Sequence, residues 1–304
     1  MKGRDIISIL DLSRDDLHRI FGLAREIEGD MDRFMDELRG RVLALLFFEP
    51  STRTMYSFQT AMSRLGGSCL VFSDVSRTSI AKGETLGDTI RMFDGYADAI
   101  VIRHRIEGVA KYAADIAEAP VINAGDGTHH HPTQAIIDLY TIWKYRGRLE
   151  GLNIGILGDL KYGRASTSFI YGIAMFKPSK LYLISPEELR LKNEVKSDLE
   201  KMNIELLETS DLQSVIGELD VLYVTRIQKE RFPDPAEYER VKGSYIIDRD
   251  LLRNARDSLM VMHPLPRVDE ISTDVDDTKY AYYFKQARCG VPVRMALLKL
   301  VIKG

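Results

Sequence analysis

The chain has 304 residues, 45% of them hydrophobic, and 42 Lys and Arg nearly balance 45 Asp and Glu for a formal net charge of −3. That length accommodates two domains with separate cores. The balanced charge argues against a general nucleic-acid or acidic-membrane binder, so any anion site must be local.

No apolar stretch reaches transmembrane length, and Met1-Lys2-Gly3-Arg4-Asp5 does not lead into a signal-peptide core. Cys69 and Cys289 are isolated in sequence and show no metal-ligand spacing, so a reducing, cytoplasmic setting is expected. The first helix is expected after Ser13, with Asp16 in the capping-box position. Apolar runs then predict strands at 42–47, 68–72, 99–103 and 121–123, with helices between them at 52–65, 85–96 and 108–117. The loop Ala124-Gly125-Asp126-Gly127-Thr128 interrupts this series, and a helix with proline in its first turn follows from 132 to about 145. A second series predicts strands at 153–157, 181–184, 204–208, 221–225, 245–247 and 259–262, and an apolar helix at about 284–301 closes the chain. Two successive βα series imply two doubly wound parallel-sheet α/β domains joined by interdomain helices. The expected division is 1–131 and 132–284, with a terminal helix at about 285–304 packing back on the first domain.

Ligands of such sheets bind beyond the carboxyl ends of the strands, and that is where the polar motifs fall. Phe48-Glu49-Pro50-Ser51-Thr52-Arg53-Thr54 joins a predicted strand to a predicted helix. Its hydroxyls and free backbone N–H groups sit at the positive end of a helix, and Arg53 adds a planar fork of donors, as an anion cradle needs. On spacing alone, a helix N-cap carrying a surface arginine explains the segment equally well. The loop from Ser76 to Glu84 is most simply a solvated connector; as a mobile lid it would bring Ser79 and Lys82 to an anion. Arg103 ends a predicted strand, where an arginine is most simply a solvated charge; it would point toward the same edge as Arg53, where the two could share a ligand.

His129-His130-His131 lacks the i, i+4 spacing of paired metal ligands, and no nearby Cys or acidic pattern completes a zinc site. His131 and Gln134, three apart at a helix start, fit better as donors to a carbonyl oxygen and readers of an amide. Gly155 to Arg164 has the wrong glycine spacing for a dinucleotide fingerprint, and Arg164 instead suits a carboxylate. In isolation Thr225 to Arg231 is most simply a charge-rich surface loop; if it is extended, Arg226 and Gln228 point the same way and could bind a second carboxylate. Two prolines around Leu265 fix a rigid turn whose carbonyls are available to an amine.

In order along nearly the whole chain, these segments resemble the catalytic chains of aspartate carbamoyltransferases: Ser51-Thr52-Arg53-Thr54, Lys82-Gly83-Glu84, Arg103-His104, Asn123 to Gly127, His131-Pro132-Thr133-Gln134, Gly158 to Arg164, Thr225 to Arg231 and His263 to Glu270. The resemblance implies transfer of a carbamoyl group from carbamoyl phosphate to the α-amine of L-aspartate in pyrimidine synthesis, with no cofactor and no metal. It implies that residues 1–131 bind carbamoyl phosphate and 132–284 bind aspartate. Ser51, Thr52, Arg53 and Thr54 would hold the phosphate, with Ser79 and Lys82 supplied by the neighbouring subunit of a homotrimer. Thr54, Arg103 and His131 would face the carbonyl oxygen, and Gln134 the carbamoyl amide. Lys82, Arg164, Arg226, Gln228, Leu265 and Pro266 would bind aspartate, with the Leu265 carbonyl accepting from its amine. Glu49, pairing with Arg164 and Arg231, would hold a closed state of the domains. Zinc-bearing regulatory chains join some assemblies of this family, whereas nucleic acid and membrane are not implied partners.

The chain departs from the family pattern at Met55, Gln59, Arg105, His129, His130 and Ala165, positions that bear on affinity and pH dependence more than on the reaction. Ornithine enzymes of the superfamily carry Ser-Met-Gly and His-Cys-Leu-Pro segments, and this chain has neither. A non-catalytic binding homologue is expected to have lost one of Arg53, Lys82, Arg103 or His131, and all four are present.

Overall fold

A computed structural model of the chain describes residues 1–73, 82–229, 232 and 234–304. They divide into two units, Met1–Ile137 with Cys289–Gly304, and Asp138–Arg288.

In the first unit, α1 (Arg14–Gly29) starts where Ser13 and Asp16 cap each other reciprocally, the Asp16 N–H reaching Ser13 Oγ at 3.1 Å and the Ser13 N–H reaching Asp16 Oδ2 at 3.0 Å. There follow β1 (Val42–Phe47), α2 (Thr52–Arg64), β2 (Ser68–Phe72), α3 (Leu86–Asp94), β3 (Ala99–His104), α4 (Val109–Ile116) and β4 (Val121–Asp126). The strands pair in parallel in the order β2-β1-β3-β4. β1 and β3 carry unbroken apolar runs because both faces of the sheet are covered: Leu43, Ala44, Leu45 and Leu46 are all fully buried. Ala44, Leu46, Ile100 and Ile102 pack against Val109, Ala110 and Ala113 of α4. The edge strand β2 differs, leaving Leu70 and Val71 exposed.

The second unit contains β5 (Asn153–Leu157), α6 (Arg164–Ala174), β6 (Lys180–Ile184), α7 (Asn193–Lys201), β7 (Leu206–Thr209), β8 (Val221–Val224), α8 (Pro235–Val241), α9 (Arg249–Leu252) and β9 (Met260–Met262). Its parallel sheet has the order β7-β6-β5-β8-β9. Leu157, Ile184, Leu222, Val224 and Val261 belong to one buried cluster on this sheet. Two long helices, αE (Pro132–Arg146) and αT (Tyr283–Ile302), each contribute residues to both units.

One predicted strand is absent. Residues 245–247 form none: Ile247 makes a single parallel bridge to Ile271, and Ile246 is exposed. Three apolar or aromatic residues in a row suffice for a local pattern, but a strand also needs a continuous partner, and here the pairing stops after one residue. The prediction at 204–208 is displaced to Leu206–Thr209, the stretch in register with β6.

Candidate active site

In the first unit the register sets the geometry. Phe47 of β1 lies opposite Arg103 of β3, so the turn that follows β1 and the end of β3 share one edge of the sheet. The Phe48 N–H donates to the Arg103 carbonyl at 2.9 Å. The Arg103 guanidinium donates to Glu49 Oε1 at 3.1 Å and to the Ala124 carbonyl at 3.2 Å. One side chain thus ties together the ends of three adjacent strands. Ser51, extended at φ −159°, stands at the N-terminus of α2 without its hydroxyl capping the helix. Arg53 is exposed, and Thr54 is buried in the first turn.

Beyond β4 the chain turns on a braced loop. The Asn123 amide donates to the Ile7 carbonyl at 2.9 Å and to Asp126 Oδ1 at 2.8 Å, and its oxygen accepts from the Gly125 N–H. Asp126 also accepts from the N–H groups of Gly108 at 3.0 Å and His130 at 3.1 Å. Burial raises the Asp126 carboxyl, but donors from His129, Asn123, Gly108 and His130 outweigh it and leave the group below its ordinary range. Gly127, at φ 49°, has no room for a side chain, whose Cβ would lie 2.9 Å from the Glu107 nitrogen. This loop delivers a buried His131 to the start of αE, where its carbonyl accepts from the N–H groups of Gln134 and Ala135 at 3.1 and 3.3 Å. Gln134 is half-buried. Beside His131, burial and the charge of His129 push the His130 imidazole down to about 4. Arg53, Arg103 and His131 therefore come from the carboxyl ends of three adjacent strands. Lys82 is exposed ahead of α3, and Ser79 lies outside the described residues.

In the second unit Leu157 of β5 lies opposite Val224 of β8, and both leading loops leave the same edge. Thr225 locks them together, its N–H and hydroxyl both donating to the Leu157 carbonyl at 2.8 and 3.0 Å. Asp159 Oδ1 accepts from the N–H groups of Lys161 at 3.2 Å and Tyr162 at 2.8 Å, which turns the chain into α6. Arg164 opens that helix and is only 4% exposed. Arg226 and Gln228 are half-buried beyond Thr225, and Arg231 lies outside the described residues. A cleft is lined in part by Arg226, Lys242, Tyr245, Asp269 and Glu270. It offers both cationic and anionic groups, as an amino acid with extra carboxylate requires. Among the described residues, Arg164, Gln228 and Leu265 do not line this cleft. Lys242 and Tyr245 were not predicted: they come from the end of α8 and the segment after it, where no strand end marks them.

Past β9, Leu265 has the left-handed φ of 55°, and the bond to Pro266 is cis. Leu265 is half-buried and Pro266 exposed. Among the described residues, no group of three or more His, Cys, Asp or Glu is arranged to hold a metal ion, and no helix is long and apolar enough to cross a membrane.

Residues 4–144 match the family model for the aspartate/ornithine carbamoyltransferase carbamoyl-P binding domain, and residues 150–301 match that for the Asp/Orn binding domain. The aspartate carbamoyltransferase catalytic subunit of Thermofilum pendens is 60% identical over 302 residues, covering 99% of this chain and 96% of its own. The catalytic subunit of M. jannaschii aspartate transcarbamoylase is similar in structure, with a TM-score of 0.90 and 49% identity over 99% of this chain and 98% of the other. Aspartate transcarbamoylase from Trypanosoma cruzi, in complex with carbamoyl phosphate and aspartate, gives a TM-score of 0.95 with 39% identity over 99% of this chain and 97% of the other.

Proposed function

The chain belongs to the aspartate/ornithine carbamoyltransferase family, and on that premise we propose that it transfers the carbamoyl group of carbamoyl phosphate to the α-amine of L-aspartate. The products are N-carbamoyl-L-aspartate and phosphate, and the reaction serves de novo pyrimidine synthesis. Carbamoyl phosphate binds the first unit: Ser51, Thr52, Arg53 and Thr54 receive its phosphate, and Gln134 reads its amide. Attack by the neutral amine builds negative charge on the carbonyl oxygen, and Thr54, Arg103 and His131 donate to it. Losing one such donor costs other enzymes about 3–4 kcal/mol. Phosphate leaves readily and can take up the proton that the amine releases.

Aspartate binds the second unit through Arg164, Arg226, Gln228 and the turn at Leu265 and Pro266. The observation that carries this acceptor is the pair of guanidinium groups, with Arg164 buried and Arg226 on the cleft, on loops that leave adjacent strand ends. A dicarboxylate suits them, whereas ornithine would add a further cation. Glu49 and Arg231 serve closure of the domains.

A homotrimer with shared sites is part of this reading. The position of β2 at the edge of the first sheet, with Leu70 and Val71 exposed among the described residues, supports a neighbouring subunit there. In this reading a neighbouring subunit receives Ser79 and Lys82, which follow β2 in sequence. A cytoplasmic enzyme, able to join separate zinc-bearing regulatory chains, completes the proposal.

Calorimetric binding of N-(phosphonacetyl)-L-aspartate, which joins both substrate halves, tests the reading. The wild-type chain should bind it, and Arg53→Ala and Arg226→Ala should each weaken it at least tenfold through loss of charge-assisted hydrogen bonds. Arg226→Ala should also raise the KM for aspartate far more than that for carbamoyl phosphate. No binding by the folded wild-type protein would defeat the assignment.

A further inference from the structure

We propose that Glu270 is a positioning residue for the acceptor: through the His263 ring it fixes the Leu265 N–H, and so the residue whose carbonyl receives the acceptor's amine. The proposal rests on the acceptor site assigned above.

The bonding permits only one arrangement of protons. A backbone N–H can only donate, so the Leu265 N–H, 2.8 Å from His263 Nδ1, requires a lone pair on that nitrogen. The proton of the neutral ring then sits on Nε2, 2.7 Å from Glu270 Oε1, and is donated there. The other Glu270 oxygen is held by the N–H groups of Val268 at 3.1 Å and Asp269 at 3.2 Å. Burial lowers the His263 pKa, and the charges of Arg226 and Arg267 act in the same direction against the opposing pull of Glu270, so the ring is neutral. Burial raises the Glu270 carboxyl, but the His263 bond and local backbone donors bring it below its ordinary range, so it is the anion.

The His263 backbone is anchored as well. Its backbone N–H donates to Gln286 Oε1 at 2.8 Å, the Gln286 amide donates to Asp138 Oδ1 at 2.6 Å, and the Tyr223 hydroxyl donates to Asp138 Oδ2 at 2.7 Å. Asp138, Tyr223, His263, Gln286 and Glu270 are all buried. What this framework holds is a disfavoured conformation, since a branched residue at φ 55° is costly without support. Without the Glu270 carboxylate the ring can carry its proton on Nδ1, facing the Leu265 N–H, and the peptide loses its anchor.

The test uses the full-length protein with Glu270→Ala and Glu270→Gln, and compares aspartate with succinate, which keeps both carboxylates but lacks the amine. Glu270→Ala should weaken aspartate about tenfold while changing competitive inhibition by succinate less than about twofold. Glu270→Gln keeps an acceptor for the Nε2 proton but turns its NH2 toward the Val268 and Asp269 N–H groups, so it should recover part of the loss. Equal weakening of aspartate and succinate would mean general damage to the site and overturn the proposal, as would unchanged aspartate binding. Should the alanine variant fail to fold, 15N NMR of histidine-labelled wild-type protein still decides: His263 should carry its proton on Nε2, and a proton on Nδ1 would overturn the proposal. A wild-type protein that turns over no aspartate would instead reject the acceptor assignment, leaving the tautomer measurement as an independent result.

Discussion

His130 sits between the exposed His129 and the buried His131, and its own ring is buried with a pKa near 4. An unfolded histidine takes its proton near 6.5. Between these values the unfolded chain binds more protons than the folded one, so stability falls as pH drops from about 6.5 toward 4. One such proton gives a slope of roughly 1.4 kcal/mol per pH unit. His263, also lowered by burial, adds in the same direction. Asp126 is lowered from the ordinary carboxylate value, so its contribution is lost only below that window. Urea unfolding of His130→Gln should therefore show a shallower loss of stability than wild type between about pH 6.5 and 4.5. An identical slope would remove His130 from the account.

The turn between β5 and α6 depends on its glycines, Gly158 first. Gly158 has φ 112°, and a Cβ there would collide with the Thr225 carbonyl oxygen. Gly158→Ala should lower stability by about 2–4 kcal/mol, combining left-handed strain with overpacking against backbone. Gly151→Ala, at φ 66° with no atom near the added Cβ, should lose only about 1 kcal/mol. Thermal unfolding of both variants checks the contrast. Elements with strong local signals were legible from sequence: β1, β2 and β5 match their predicted bounds, being short apolar runs between turn residues. The Ser13–Asp16 cap was legible for the same local reason. Residues 245–247 misled because their pattern is local while strand pairing is not. The strand-end positions of Arg53, Arg103, Arg164 and Arg226 followed from the alternating series. The cleft lining by Lys242 and Tyr245, and the pairing of His263 with Glu270, depend on tertiary folding that carries no periodicity.

For the whole molecule, the proposed trimer predicts complementation. Chains with Lys82→Ala and chains with Arg53→Ala should each be nearly inactive without loss of assembly. Mixed trimers would carry one intact site each, so equal random mixing should restore about a quarter of wild-type activity. No recovery after verified subunit exchange would contradict shared sites. The central claim concerns the reaction and its acceptor, and carbamoyl transfer by the purified chain, with aspartate and ornithine offered separately and no metal added, tests it most directly. The account predicts turnover with aspartate and none with ornithine; turnover with ornithine alone, or with neither acceptor, would contradict it.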